Sequence, residues 1–128
     1  MQEISFDIIG DLYLSVNEHF TWEGKATSLY CIIAGNISND VNTIKKVLTH
    51  LSQVYQGVFY VPGTLEYDST ESIPERLSEI IHIVNRIPNM CMLHQHVAVI
   101  DGVAIVGVNG WCDAGINQTF EEIGRAHV

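Results

Sequence analysis

The segment "LYCIIAGNISND", residues 29–40, decides how the rest of the chain is read. Its first seven residues form a β-rich apolar run closed by glycine, the pattern of a buried strand in a parallel sheet. Gly35 lets the chain swing, and Asn36 stands at the strand end as a residue tolerant of positive φ. Asn39 or Asp40 then caps a helix whose apolar stripe is Val41, Ile44, Val47, Leu48, Leu51, Val54 and Tyr55.

Working outward, "ISFDIIG" (4–10) and "GVFYVPG" (57–63) repeat the strand-then-glycine pattern on either side. A loop containing Trp22, Glu23, Gly24 and Lys25 joins the first two strands, either as a lid or as a plain surface loop. After the third strand, "STESIPERLSEIIHIVNRIPN" (69–89) predicts a second helix with Ile73, Leu77, Ile80, Ile81, Val84 and Ile87 on one stripe. Ser72-x-x-Glu75 supplies a capping box at its start and Pro88 a stop. "MCMLHQHVAVIDGVAIVGVNGW" (90–111) holds three short runs, 90–93, 96–100 and 103–108. Asp101-Gly102 is a hairpin turn between the last two. The order βαβαβββ predicts a layered α/β fold whose sheet starts parallel (βαβαβ) and ends in an antiparallel hairpin.

The 128 residues, 47% of them hydrophobic and 16% charged, suffice for one domain with a real core. Fifteen acids against six bases give a formal charge of −9, and no basic cluster extends beyond Lys45-Lys46. A strong nucleic-acid footprint is therefore missing. Cys31, Cys91 and Cys112 lack CxxC spacing, which argues against a disulfide framework and fits a reducing, cytoplasmic setting. The N-terminus lacks a signal-peptide pattern, and no apolar run approaches the ~20 residues of a membrane span.

In open α/β sheets ligands bind beyond the carboxyl ends of the parallel strands. Asp11 and Tyr13 follow the first strand, Asn36 and Asn39 the second, and Thr64, Leu65 and Glu66 the third, so one cleft should collect them. Two carboxylates, two amides, a hydroxyl and a phenol form an oxygen-rich set, suited to Mg²⁺ or Mn²⁺ better than to zinc. Plainer readings stand beside this one. Asp11 caps a turn, Tyr13 and Leu65 fill a core, Glu66 and Asp68 are solvated loop acids, and His94 and His96 alternate along a strand towards solvent.

The three strand-end motifs, Asp11-x-Tyr13, Gly35-Asn36-x-x-Asn39 and Gly63-Thr64-Leu65-Glu66, resemble those of the calcineurin-like metallophosphoesterase superfamily, which carries D-x-H, G-D-x-x-D/N and G-N-H-D/E at these places. The tail "VAVIDGVAIVGVNGW" (97–111) is similar to the family's pair of strands leading to a Gly/Trp turn. The resemblance implies a metal-dependent phosphoesterase acting on a phosphorylated small molecule or nucleotide with Mn or Mg, or with Fe or Zn. It makes Asp11 a metal ligand, with Asn39 and Glu66 lining the cleft.

The same comparison marks the departures. Tyr13 replaces a ligand histidine, Asn36 the aspartate bridging two metals, Thr64 a ligand asparagine, and Leu65 the histidine that protonates the leaving group. A bridging carboxylate offsets the repulsion of two cations ~3.5–4 Å apart; an amide carries no charge, and leucine has no proton to give. The expectation is a phosphoesterase impaired or inactive as this chain, with no assignable catalytic residue and with metal binding itself in question. The alternative is a pseudoenzyme that binds a phosphorylated ligand or a protein partner without turnover.

The family's later histidine motifs lie downstream of its Trp turn. His94-Gln95-His96 precedes Trp111 and has Leu93 where glycine belongs, so it is not taken as that motif. "IGRAHV" (123–128) matches the translation of a common sequencing-library adapter. Residues 1–122 are therefore expected to be a C-terminally truncated phosphoesterase domain and 123–128 a non-native tail.

Overall fold

A computed structural model describes residues 4–68, 70, 72–93, 97–100 and 102–106. His94-Gln95-His96, Asp101, Trp111, Cys112 and the 123–128 tail lie outside the described residues. The elements run β1 (Phe6–Ile9), β2 (Tyr30–Ala34), α1 (Val41–Val54), β3 (Gly57–Val61), a single 3-10 turn (Thr64–Tyr67), α2 (Ile73–Asn85), β4 (Met90–Met92), β5 (Val97–Ile100) and β6 (Val103–Val106). β1 to β4 form one parallel sheet in the order β1-β2-β3-β4. Ile8 pairs with Ile32, Ile32 with Phe59, and Phe59 with Cys91.

Because every crossover advances in one direction across the sheet, right-handed connections put both helices on the same face. Strand alternation then divides the side chains. Ile9, Cys31, Ile33, Val58, Tyr60 and Met92 face α1 and α2 in the main core. Phe6, Tyr30, Ile32, Phe59, Val61 and Cys91 face the other way, where Ile100 and Ile105 of the hairpin pack against them. The antiparallel pair β5-β6 is thus a second small sheet rather than a continuation of the first. Ile8, on the same outer face, is 73% exposed.

α1 follows its sequence pattern closely. Asp40 caps it, with Oδ2 accepting from the Thr43 backbone N–H at 2.9 Å and the Thr43 hydroxyl at 2.8 Å. Ile44, Val47, Leu48 and Leu51 are fully buried, each contributing about 1.5–3 kcal/mol. In α2 the Ser72 hydroxyl accepts from the Glu75 N–H at 3.3 Å, and the helix ends at Asn85, short of Pro88. Its inward stripe differs from the expected one: Ile80, Ile83 and Val84 are buried, while Ile73 and Ile81 are 45% and 38% exposed. The helix is short and amphipathic, and a rotation of a fraction of a turn about its axis brings Ile83 inward and leaves Ile81 at the edge of the buried face.

The connection from β1 to β2, residues 10–29, contains no helix, yet Leu14, Phe20 and Trp22 pack into the helix-side core. The Trp22 N–H donates to His50 Nε2 at 2.8 Å, and Trp22 Nε1 donates to the Tyr55 hydroxyl at 2.9 Å. Tyr55 in turn donates to Asp7 Oδ2 at 2.7 Å. Between the two readings of this loop, the anchoring speaks against a free lid.

Candidate functional site

The first two strand-end loops run side by side beyond the sheet. The Asp11 N–H donates to the Gly35 carbonyl, Tyr13 to Asn36 and Leu14 to Ile37, at 3.2, 3.0 and 2.8 Å. Holding the loops in this register puts Asp11, Tyr13 and Asn36 at φ values of 54°, 49° and 58°. Left-handed backbone costs a non-glycine residue about 1 kcal/mol or more, so three such residues at one strand-end cluster mark a conformation imposed by tertiary structure. Gly35, at φ 74°, could carry no side chain: a Cβ there would lie 2.7 Å from the Gly63 nitrogen. The second and third loops therefore touch backbone to backbone.

Asn36 bridges all three loops. Its Nδ2 donates to Asp11 Oδ1 at 2.8 Å, and its Oδ1 accepts from the Leu65 N–H at 3.0 Å. Two partners of opposite kind fix the orientation of the amide. An aspartate here could still accept from Leu65, but it would face Asp11 oxygen to oxygen.

Glu66, expected on the cleft wall, is instead fully buried. Its carboxylate accepts from the Tyr60 hydroxyl at 2.6 Å, the Gly63 N–H at 3.0 Å and the Ile37 N–H at 3.2 Å. Burial raises its pKa above the ordinary glutamate value and outweighs the opposing pull of those bonds. Glu66 thus ties the second loop to the third from beneath. Asn39 is also held from within, its carbonyl accepting from Arg76 at 3.1 Å, while the same guanidinium nitrogen donates to the Glu66 carbonyl at 3.0 Å. Sequence reasoning missed Arg76, because nothing in its spacing from residues 39 and 66 betrays a shared partner.

Above these anchors lies a cavity of about 390 Å³ lined by Tyr13, Thr64, Leu65, Tyr67, Asp68 and Ile73. Tyr13 is 60% exposed, so it does not fill a core. Among the described residues, the wall carries phenol, hydroxyl and aliphatic groups with one carboxylate and no cation.

The donor set does not fit a two-cation centre. Asp11 is a carboxylate already hydrogen-bonded to Asn36, and among the described residues no three His, Cys, Asp or Glu side chains gather as a group that could hold a metal ion. Hydroxyls and a spoken-for amide cannot replace the charge that two hard cations require.

A solved structure shares this fold. The phosphopantetheinyl hydrolase (PptH) of Mycobacterium tuberculosis superposes with a TM-score of 0.62 over 98% of this chain and 52% of its own, at 18% identity. A relative in sequence is "Uncharacterized protein L509" of Acanthamoeba polyphaga mimivirus, 28% identical over 87 residues, or 64% of this chain and 31% of that protein. The chain thus spans about half the length of the solved neighbour and under a third of the viral relative. No family model matches it. No helix among the described residues is long and apolar enough to cross a membrane.

Proposed function

We propose that this chain is part of a phosphoesterase-like protein of the calcineurin-like superfamily in which two-metal hydrolysis is impaired. Three strand-end loops in the family's order support the family reading, as does the fold of a solved protein named as a hydrolase. The observation that carries the impairment is the 2.8 Å hydrogen bond from Asn36 to Asp11. That bond replaces a bridging carboxylate with a neutral donor, and the proton donor's position holds Leu65. In the lineage, Mn or Mg would polarise the phosphoryl group; of the four metal-ligand positions that the resemblance assigns to these loops, Asp11 alone keeps the ligand residue.

The test is turnover of bis-p-nitrophenyl phosphate with Mn²⁺, beside the same assay on Asp11→Ala. The proposal expects no difference between the two proteins above the metal-ion background. Metal-dependent turnover that disappears in Asp11→Ala would contradict it.

A second reading is favoured by the cavity wall: a pseudoenzyme whose cleft binds without turnover. Tyr13, Leu65, Tyr67 and Ile73 give an apolar and aromatic surface, while Asp68, and Asp11 nearby, would repel a phosphate lacking a counter-charge. Of the two ligand classes considered, a protein partner suits that wall better than a phosphorylated molecule.

A further inference from the structure

Positive charge is scarce in this chain, fifteen acids standing against six Lys and Arg, yet Lys45 and Lys46 line one groove of about 590 Å³ on the outer face of α1. Its wall also includes Asn42, Thr49 and His50 and, among the described residues, no acid. Both lysines are exposed, and among the described residues neither side chain forms an ion pair or hydrogen bond. Lys46 and Asn17 also line an adjoining cavity of about 200 Å³, which includes Glu18.

The groove is held in shape by the anchored β1–β2 connection. The Trp22 N–H donates to Nε2 of His50 at 2.8 Å, which holds the imidazole ring against the loop and leaves Nδ1 as its other polar atom. Phe20 packs edge-on against the same ring, and the Lys25 ammonium lies 5.2 Å from the Trp22 centroid. Asn17, which also lines the groove, sits in the loop at φ 63°, a backbone conformation that asparagine tolerates. Lys25, Lys45 and Lys46, three of the six basic residues, thus gather on the β1–β2 loop and α1.

We propose that this groove is an anion site for an oligophosphate, a ligand carrying two or more linked phosphate groups. Adjacent lysines each neutralise one phosphate, and the neutral donors around them satisfy further oxygens. A single phosphate would engage one ammonium at a time and bind weakly. The site shares no described lining residue with the cleft, so it stands or falls independently of the phosphoesterase reading.

The experiment is titration of the ¹⁵N-labelled chain with tripolyphosphate, pyrophosphate and inorganic phosphate at fixed ionic strength, followed by amide shifts. The expected result is saturable shifts in residues 42–53 and around Asn17, strongest with tripolyphosphate and weakest with phosphate. Lys45→Gln/Lys46→Gln should weaken tripolyphosphate binding by about tenfold or more, and Lys45→Arg/Lys46→Arg should retain it. Unchanged affinity in the glutamine double variant would overturn the proposal, as would shifts confined to other parts of the molecule or no saturable shift at all. Both lysines are exposed, so the substitutions leave the fold intact and circular dichroism would verify it.

Discussion

The side-chain amide of Asn36 donates to the carboxylate of Asp11 at 2.8 Å, joining the loops that follow β1 and β2. One hydrogen bond of a neutral group thus does the bridging that a cation between two carboxylates would do in the family this frame resembles. The substitution Asn36→Asp isolates the relationship, since Leu65 keeps an acceptor while Asp11 gains a like charge. In chelator at neutral pH it should lower stability by about 1–3 kcal/mol. Mn²⁺ should recover part of that loss for the variant and leave the parent unchanged in thermal unfolding.

Glu66 should matter to stability more than to any ligand. Glu66→Ala strands the buried donors of Tyr60 and Ile37, at about 1–3 kcal/mol each before relaxation, and also frees the half-buried Gly63 N–H. Denaturant unfolding should show a loss of several kcal/mol. A near-neutral result would mean that water enters the space beneath the loops.

Two glycines of nearly equal φ separate backbone strain from close packing. Gly24→Ala at φ 73° places its Cβ in open space, whereas Gly35→Ala at φ 74° drives it against the Gly63 backbone. The first should cost about 1–2 kcal/mol and the second clearly more in the same unfolding assay. Equal costs would show that the second and third loops separate easily.

Acid should weaken the anchor of the β1–β2 connection. Asp7 is held well below its ordinary 3.8, first by the Thr27 hydroxyl and then by Tyr55 and the Thr27 N–H. The folded state therefore binds this proton less readily than the unfolded state, and the stabilisation is present above 3.8. It is lost as pH falls below that value towards the folded pKa. The stability gap between the parent and Asp7→Asn should accordingly shrink between about pH 5 and about pH 2, measured by urea unfolding at each pH.

Much of the fold was legible in the sequence because its signals are local. The run 29–35 with its closing glycine, the α1 stripe and the Asp40 and Ser72 caps all reside within one element. What the sequence hid depends on distant partners. Glu66 reads as a loop acid until Tyr60, Gly63 and Ile37 surround it. Asp7, Trp22 and Tyr55 meet only when the sheet and α1 are assembled. Ile83 turns inward because of how α2 sits on the sheet, which a stripe of nearly continuous isoleucines does not specify. The family resemblance pointed to Asp11, Asn36, Thr64 and Leu65, but spacing could not show that Asn36 is engaged at both ends of its amide.

The proposed impairment requires that Tyr13, Asn36, Thr64 and Leu65 close a cleft that the ligand residues of the resembling family would open to metal. Calorimetric titration of Mn²⁺ into this chain and into Tyr13→His/Asn36→Asp/Thr64→Asn/Leu65→His tests it most directly. The parent should show no stoichiometric binding that depends on Asp11, and the substituted chain a clear gain that adding Asp11→Ala abolishes. Tight Asp11-dependent binding in the parent, or no gain in a folded substituted chain, would contradict it.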